Sequence, residues 1–216
     1  MPATRVYSSD VAFTPAVKAI QAQRGSREAF ARVEQNGAWR TEIDERLAAF
    51  LSDTNSVFLA TATADGQPYV QHRGGPKGFI KLLDRKTIAF ADYSGNRQYL
   101  TQGNLSENPR AHIFIMDYAH RRRVKIWGEA RVIEDDPALT ASLMPSGYKA
   151  RPEKVILFTI AAWDTNCSQH IPQKFDATDV ADAMAEAGAQ IAARDARIVE
   201  LEAEIARLKG ERTSAT

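Results

Sequence analysis

Cysteine is almost missing: the chain holds one, Cys167, so no internal disulfide can staple it. A reducing, cytoplasmic setting is the expectation. Long apolar runs are missing too. No stretch approaches the roughly 18 apolar residues of a spanning helix, so no membrane partner is expected. Neither sign of charge is in excess, since 28 Lys and Arg stand against 27 Asp and Glu. That balance offers no general attraction to nucleic acid or an anionic membrane. The opening MPATRVYSSDVAF lacks the basic-then-apolar order of a secretory signal. What is there is ordinary for a globular chain: 216 residues, 44% of them hydrophobic, allow one sizeable core plus an appendage.

The pattern of residues changes twice along the chain. Residues 1–41 read as a helical segment. TPAVKAIQAQRG has a Thr-Pro start and a Gly stop, and SREAFARVEQNG has Ser26 as its cap and Asn36-Gly37 as its terminator. A third helix, TEIDERLAAFLSDT, places Ile43, Leu47 and Phe50 or Leu51 on one face. From residue 56 the period becomes two. SVFLATATADGQPYVQHRGG alternates around Asp65-Gly66 as a hairpin. GFIKLLDRKTIAFAD, RAHIFIMDY, RRVKIWGEARVIED and KVILFTIAAWDTN supply further strands, with room for helices in GNRQYLTQGNLSENP and DPALTASLMPSGY. About seven short strands in a meander close most naturally as a small barrel. The expected class is mainly β with flanking helices, α+β, with the barrel over residues 42–175.

Residues 176–216 differ again. With Met184 at heptad position a, that position recurs at Ile191, Ile198 and Ile205, and position d holds Ala187, Arg194, Leu201 and Leu208. Ile at a with Leu at d favours a two-stranded coil. In a parallel pair Arg197 would face the partner's Glu202, and Glu204 the partner's Lys209. Arg194 at d is a flaw, and Gly188 weakens the first heptad by roughly 1 kcal/mol relative to alanine. The alternative is a lone amphipathic helix lying on its own barrel.

Four stretches can carry chemistry. In QHRGGPKG, Gly74-Gly75 permits close backbone approach while Arg73 and Lys77 bring charge suited to an anion; the bland alternative is a glycine turn with solvated cations. In ADYSGNRQYL, Arg97 can grip a phosphate, and Asn96 and Gln98 offer amides. If a helix starts at Asn96, Asn96 is also its cap. In HRRRVKIWGEARV the arginines alternate, Arg121 and Arg123 on one face and Arg122 on the other, as solvated surface often does. No aromatic platform there supports nucleic-acid binding. In WDTNCSQHIPQKF, Cys167 and His170 have metal-ligand spacing but no second pair, so no metal site is expected. Trp163, Asn166 and Gln169 are candidate ligand contacts, and His72 or His170 can assist proton transfer or be structural.

These segments, in this order, resemble the pyridoxamine 5'-phosphate oxidase-like family, the FMN-binding split barrels. Gly95-Asn96-Arg97-Gln98 stands where the family has Gly-Ser-Arg-Lys, Asn108-Pro109-Arg110 is its turn, Arg122-Arg123-Val124 stands for Arg-Gln-Val, and Gly128 follows without a gap. The resemblance implies a homodimer with FMN at the subunit interface and a small-molecule substrate. It places Arg73, Gly74 and Gly75 on the phosphate-binding strand, and Asp92 and Tyr93 at the next strand's end. Asn96, Arg97 and Gln98 fall at the phosphate and ribityl chain, and Arg123 at a flavin-contacting glutamine. It implies that Asn166, Cys167 and Gln169 contribute from the second subunit. The closest likeness is to a general flavin-binding branch, because the true oxidase's C-terminal ending is replaced here by the heptad helix. The reading is a flavin-dependent oxidoreductase with no assigned catalytic side chain. Alternatives are a non-catalytic flavin-binding or interaction module, or a haem-binding split barrel.

Overall fold

The computed structural model describes residues 6–165 and 168–213, with side chains described to Gly210. The chain divides into two compact units, one ending at Ile171 and one beginning at Pro172.

The first unit is α+β. Seven strands form one sheet: β1 (Ser56–Ala62), β2 (Pro68–Gly74), β3 (Lys81–Leu82), β4 (Thr87–Tyr93), β5 (Arg110–Asp117), β6 (Arg122–Ile133) and β7 (Pro152–Thr165). Their spatial order is β2-β1-β5-β6-β7-β4-β3, and every neighbouring pair is antiparallel. The β1–β2 turn uses Gly66 at φ +95°, a conformation that glycine adopts without a side-chain clash. The sheet curls until β2 and β4 approach each other without ladder hydrogen bonds. Side chains bridge that seam, with Arg73 on β2 3.3 Å from Asp92 on β4. This is the split barrel expected from the meander.

The inner face holds Val57, Leu59, Ile88, Phe90, Ile113, Ile115, Ile126 and Phe158, all but sealed from solvent. Helix α3 (Glu45–Ser52) closes one end with Leu47 and Leu51, while Ile43 and Phe50 pack partly buried beside them. Asp44 fixes its start by accepting a hydrogen bond from the Leu47 amide at 2.9 Å. Strand β4 reads as an unbroken apolar run because both faces are covered. Its Ala89 and Ala91 pack with Leu143 of α5 (Pro137–Leu143) on the far side. Gly128 sits at a bulge against β7, where an added Cβ would lie 2.0 Å from the Thr159 carbonyl oxygen. No side chain fits there.

Before the barrel come a short 3-10 turn (Ser8–Val11), α1 (Pro15–Gln23) and α2 (Arg27–Gln35). Thr14 caps α1 as expected, but Ser26 makes no side-chain cap on α2. There the polar work falls to Arg27, which bonds Gln21 and Glu34. This segment packs on the barrel in the same unit. Trp39 stacks on Trp127 of β6 at 4.6 Å, and Trp163 of β7 donates its indole N–H to the Glu42 carbonyl at 2.8 Å.

Among its described residues the second unit contains one helix, α6 (Ala177–Thr213). No helix among the described residues is long and apolar enough to cross a membrane.

Candidate functional site

The seam between β2 and β4 opens into a cleft of about 190 Å3. Antiparallel alternation aims Gln71 and Arg73 of β2 into it, and the end of β4 contributes Asp92 and Tyr93. The opposite wall comes from Lys154 on β7, which lies directly across from Asp92 in the ladder. The loop Gly95–Tyr99 and the first turn of α4 (Leu100–Glu107) form the rim.

The charges here are unusually well enclosed. Asp92 is 7% and Lys154 8% exposed. Arg73 donates to the Thr101 hydroxyl at 3.3 Å, and Thr101 donates to Gln71 at 3.0 Å. The Arg73 Nε lies 3.3 Å from the Asp92 carboxylate, near enough for attraction but misaligned, so this buried donor lacks an acceptor. Lys154 Nζ donates to Gln102 at 2.6 Å and sits 4.6 Å from the Tyr99 ring centroid. Burial pushes the Asp92 carboxyl above the usual carboxylate range, and the attraction of Arg73 and Lys154 only partly offsets it. Burial, with Tyr148 nearby, likewise pushes the Tyr93 hydroxyl up.

The loop departs from its expected form. Helix α4 starts at Leu100, not at Asn96, and its flanking residue Tyr99 is left-handed at φ 56°. Asn96 accepts instead from the Gln98 amide at 3.2 Å, a local turn rather than a helix cap. Arg97 is left-handed as well, at φ 61°. Two such non-glycine residues cost of order 1 kcal/mol each, and they hold the Arg97 side chain on the exposed rim.

The fold therefore brings together Arg73, from β2, with Asp92, Tyr93, Asn96, Arg97 and Gln98 of a second stretch. It does not bring Gly74 and Gly75 to the cleft wall. The space beside Gly75 is taken by Phe79, whose Cβ would lie 2.7 Å from an added methyl. Lys77 pairs at the surface with Asp53. Arg123 lines a second cleft of about 240 Å3, with Arg46, Phe50, Arg122 and Trp163. Arg121 falls in the turn before β6, so only Arg122 and Arg123 alternate, and Arg122 binds Asp117 at 2.6 Å. Trp163 is core, with its N–H already engaged. Gln169 and His170 are exposed in a turn, while Asn166 and Cys167 lie outside the described residues.

Sequence reasoning missed Lys154, Thr101 and Gln102. A signal for Lys154 existed: a lysine opening an otherwise apolar strand, KVILF. Its partner Asp92 could be assigned only once the β4–β7 register was known.

A curled antiparallel sheet with a charged cleft at its open seam defines the split-barrel class. Residues 43–167 match the family model described as pyridoxamine 5'-phosphate oxidase, and the chain belongs to that family. A pyridoxine/pyridoxamine 5'-phosphate oxidase from Cupriavidus pinatubonensis is 27% identical over 130 residues, 60% of this chain. The chain spans about half, 53%, of that relative's length. Among solved structures, HupZ of Group A Streptococcus matches with a TM-score of 0.46 at 18% identity, over 62% of this chain and all of that one. An FMN-binding protein from Syntrophomonas wolfei matches with a TM-score of 0.40 at 13% identity, over 70% of this chain and 95% of that one.

Proposed function

We propose that this protein is a homodimeric FMN-binding flavoprotein. In this reading the seam cleft holds the flavin's phosphate end, and the bound flavin supplies redox chemistry toward a small-molecule substrate. The observation that carries it is the buried Arg73 Nε without an acceptor. A phosphate oxygen provides one, as a charge-assisted bond worth about 1.5–3 kcal/mol. Where the family has a lysine, this chain has the neutral, exposed Gln98. Lys154 supplies the second enclosed cation in its place, and Arg97 the third from the rim. Asp92, 3.3 Å from that same Nε, attracts Arg73 without bonding it, and Tyr93 and Asn96 border the tail.

The chain's own geometry supports a second copy. A cleft of about 190 Å3 falls below the 300–1,000 Å3 of typical complete ligand sites. Arg73 and Arg123 line different clefts of one chain, an arrangement that suits a flavin held between two subunits. The outer face of the sheet also carries Phe58 and Val70, 36% and 58% exposed, where a solvated face would be polar. Gln169, with Asn166 and Cys167, is assigned to the partner's flavin. Residues 42–175 form the flavin barrel, 1–41 its cover and 176–216 an appendage, in a reducing cytoplasm.

An absorption spectrum of the purified protein tests the reading. The expected result is a flavin spectrum, with FMN released on denaturation. Colourless protein that also fails to bind added FMN would overturn it. Reduction of the bound flavin by NADH or NADPH, or oxidase turnover, then separates an enzyme from a binding module.

A further inference from the structure

We propose that α6 forms a parallel, in-register, two-stranded coiled coil with α6 of a second copy of this chain, and that Arg194 marks its register as a charge-balanced polar layer. Taken by itself, the helix has no internal means of hiding its apolar seam. Every described side chain from residue 172 to residue 210 is exposed. Met184, Ile191, Ile198 and Ile205 at a, with Leu201 and Leu208 at d, are 40–71% exposed. A helix of 37 residues is roughly 55 Å long, and one this long in water draws its stability from packing of the apolar stripe.

Charge selects the occupant. In a parallel pair each g residue faces the e residue five places on in the other strand. Arg197 then faces the partner's Glu202, and Glu204 faces the partner's Lys209. Gln190 faces the partner's Asp195, which makes every g–e contact from Gln190 onward free of like-charge repulsion. Arg194 at d stands beside e residues, so its guanidinium reaches the partner's Asp195. Two arginines and two aspartates then neutralise one another across the layer. A one-heptad slip would set one Arg194 against Leu201 beside the partner's Glu202 and the other against Ala187 beside Gly188, so that only one of the two would keep an acidic neighbour. Within one strand Arg197 bonds Glu200 at 2.8 Å and Gln190 bonds Glu186 at 3.4 Å, and both bonds lie on the exposed surface and can exchange for interchain ones.

Cysteine cross-linking of the full chain tests this without reference to flavin. A parallel, in-register coil places d-position Cβ atoms within disulfide reach. Leu201→Cys should therefore cross-link nearly completely on mild oxidation at low micromolar concentration. Ala203→Cys, on the outer face, should cross-link no more than wild type with its native Cys167. Arg194→Leu should raise the midpoint of helix melting followed at 222 nm, since it removes the polar layer from the core. It should also broaden the register, so that Leu208→Cys paired with Leu201→Cys in mixed chains begins to cross-link. Equal cross-linking at positions 201 and 203, or none at 201, overturns the coil. A lower melting midpoint for Arg194→Leu overturns the assignment of Arg194. A yellow protein that fails the cross-link refutes only the coil, whereas a colourless one that passes refutes only the flavin reading.

Discussion

The barrel and α6 use similar apolar residues to opposite effect. In the barrel, Ile113, Ile126 and Phe158 are completely buried within one chain. In α6, Ile191 and Ile198 remain more than half exposed. A curled sheet wraps its own inner face, so alternation at period two finds its partner across the barrel. A single helix has only one apolar stripe and cannot bury it within itself. The barrel's core is thus complete in one protomer, and the seam of α6 asks for another.

The contrast can be broken by mutation. The largest effect is expected for Gly128→Ala, because the added Cβ meets backbone at the Thr159 carbonyl and the Phe158 ring at 2.6 Å. Neither can yield without opening the β6–β7 bulge. A loss of about 3 kcal/mol or more, or failure to fold, is expected in urea melts. Gly188→Ala in α6 should instead stabilise its helix by roughly 1 kcal/mol, measured by circular dichroism. Equal and small effects at both sites would remove the distinction between a packed and an unpacked unit.

Next is Arg73→Ala, which should weaken FMN binding about 10- to 100-fold in fluorescence titrations, from the loss of an enclosed charged hydrogen bond. Arg97→Ala, on the exposed rim, should cost less, about 2- to 5-fold, because water screens its charge. Reversal of that order would move the phosphate out of the cleft and onto the loop.

The last comparison concerns acid. Burial, reinforced by nearby Lys125, holds His112 down to about 4, from an ordinary 6.5. It packs against Trp127, 4.9 Å between centroids. Below pH 6.5 the unfolded chain takes up a proton that the folded chain refuses until about pH 4. Stability should therefore fall across that window, by on the order of 2 kcal/mol after allowance for partial exposure. His112→Gln should flatten that part of the profile in thermal melts. Helix α6 contains no histidine, so its melting should lack this inflection.

Much of the fold was legible because each element satisfied its local rules. The Asp65-Gly66 hairpin, the heptads and the run KTIAF carry their periods in adjacent residues. The site was only half legible. Arg73, Asp92 and Arg97 stand out by residue type and by family resemblance. Lys154 did not, since a lysine at a strand start is ordinarily solvated. Gly74 and Gly75 misled in the other direction: a glycine pair suggests room for a ligand, while here Phe79 fills the room beside Gly75. Asn96 has the chemistry of a helix cap, but two left-handed residues displace the helix start by four positions.

By itself, then, the sequence determined the order and kind of its elements, because period, caps and turns act over a few residues. It also determined that residues 176–209 would be helical with one apolar stripe. Only the tertiary structure decided which charges share a cleft. That depends on the register of β4 against β7 and on how far the sheet curls, and these bring Arg73, Asp92 and Lys154 together across more than 80 residues of chain. Burial there, which no local rule encodes, turns three ordinary charged residues into an enclosed site with an unanswered donor.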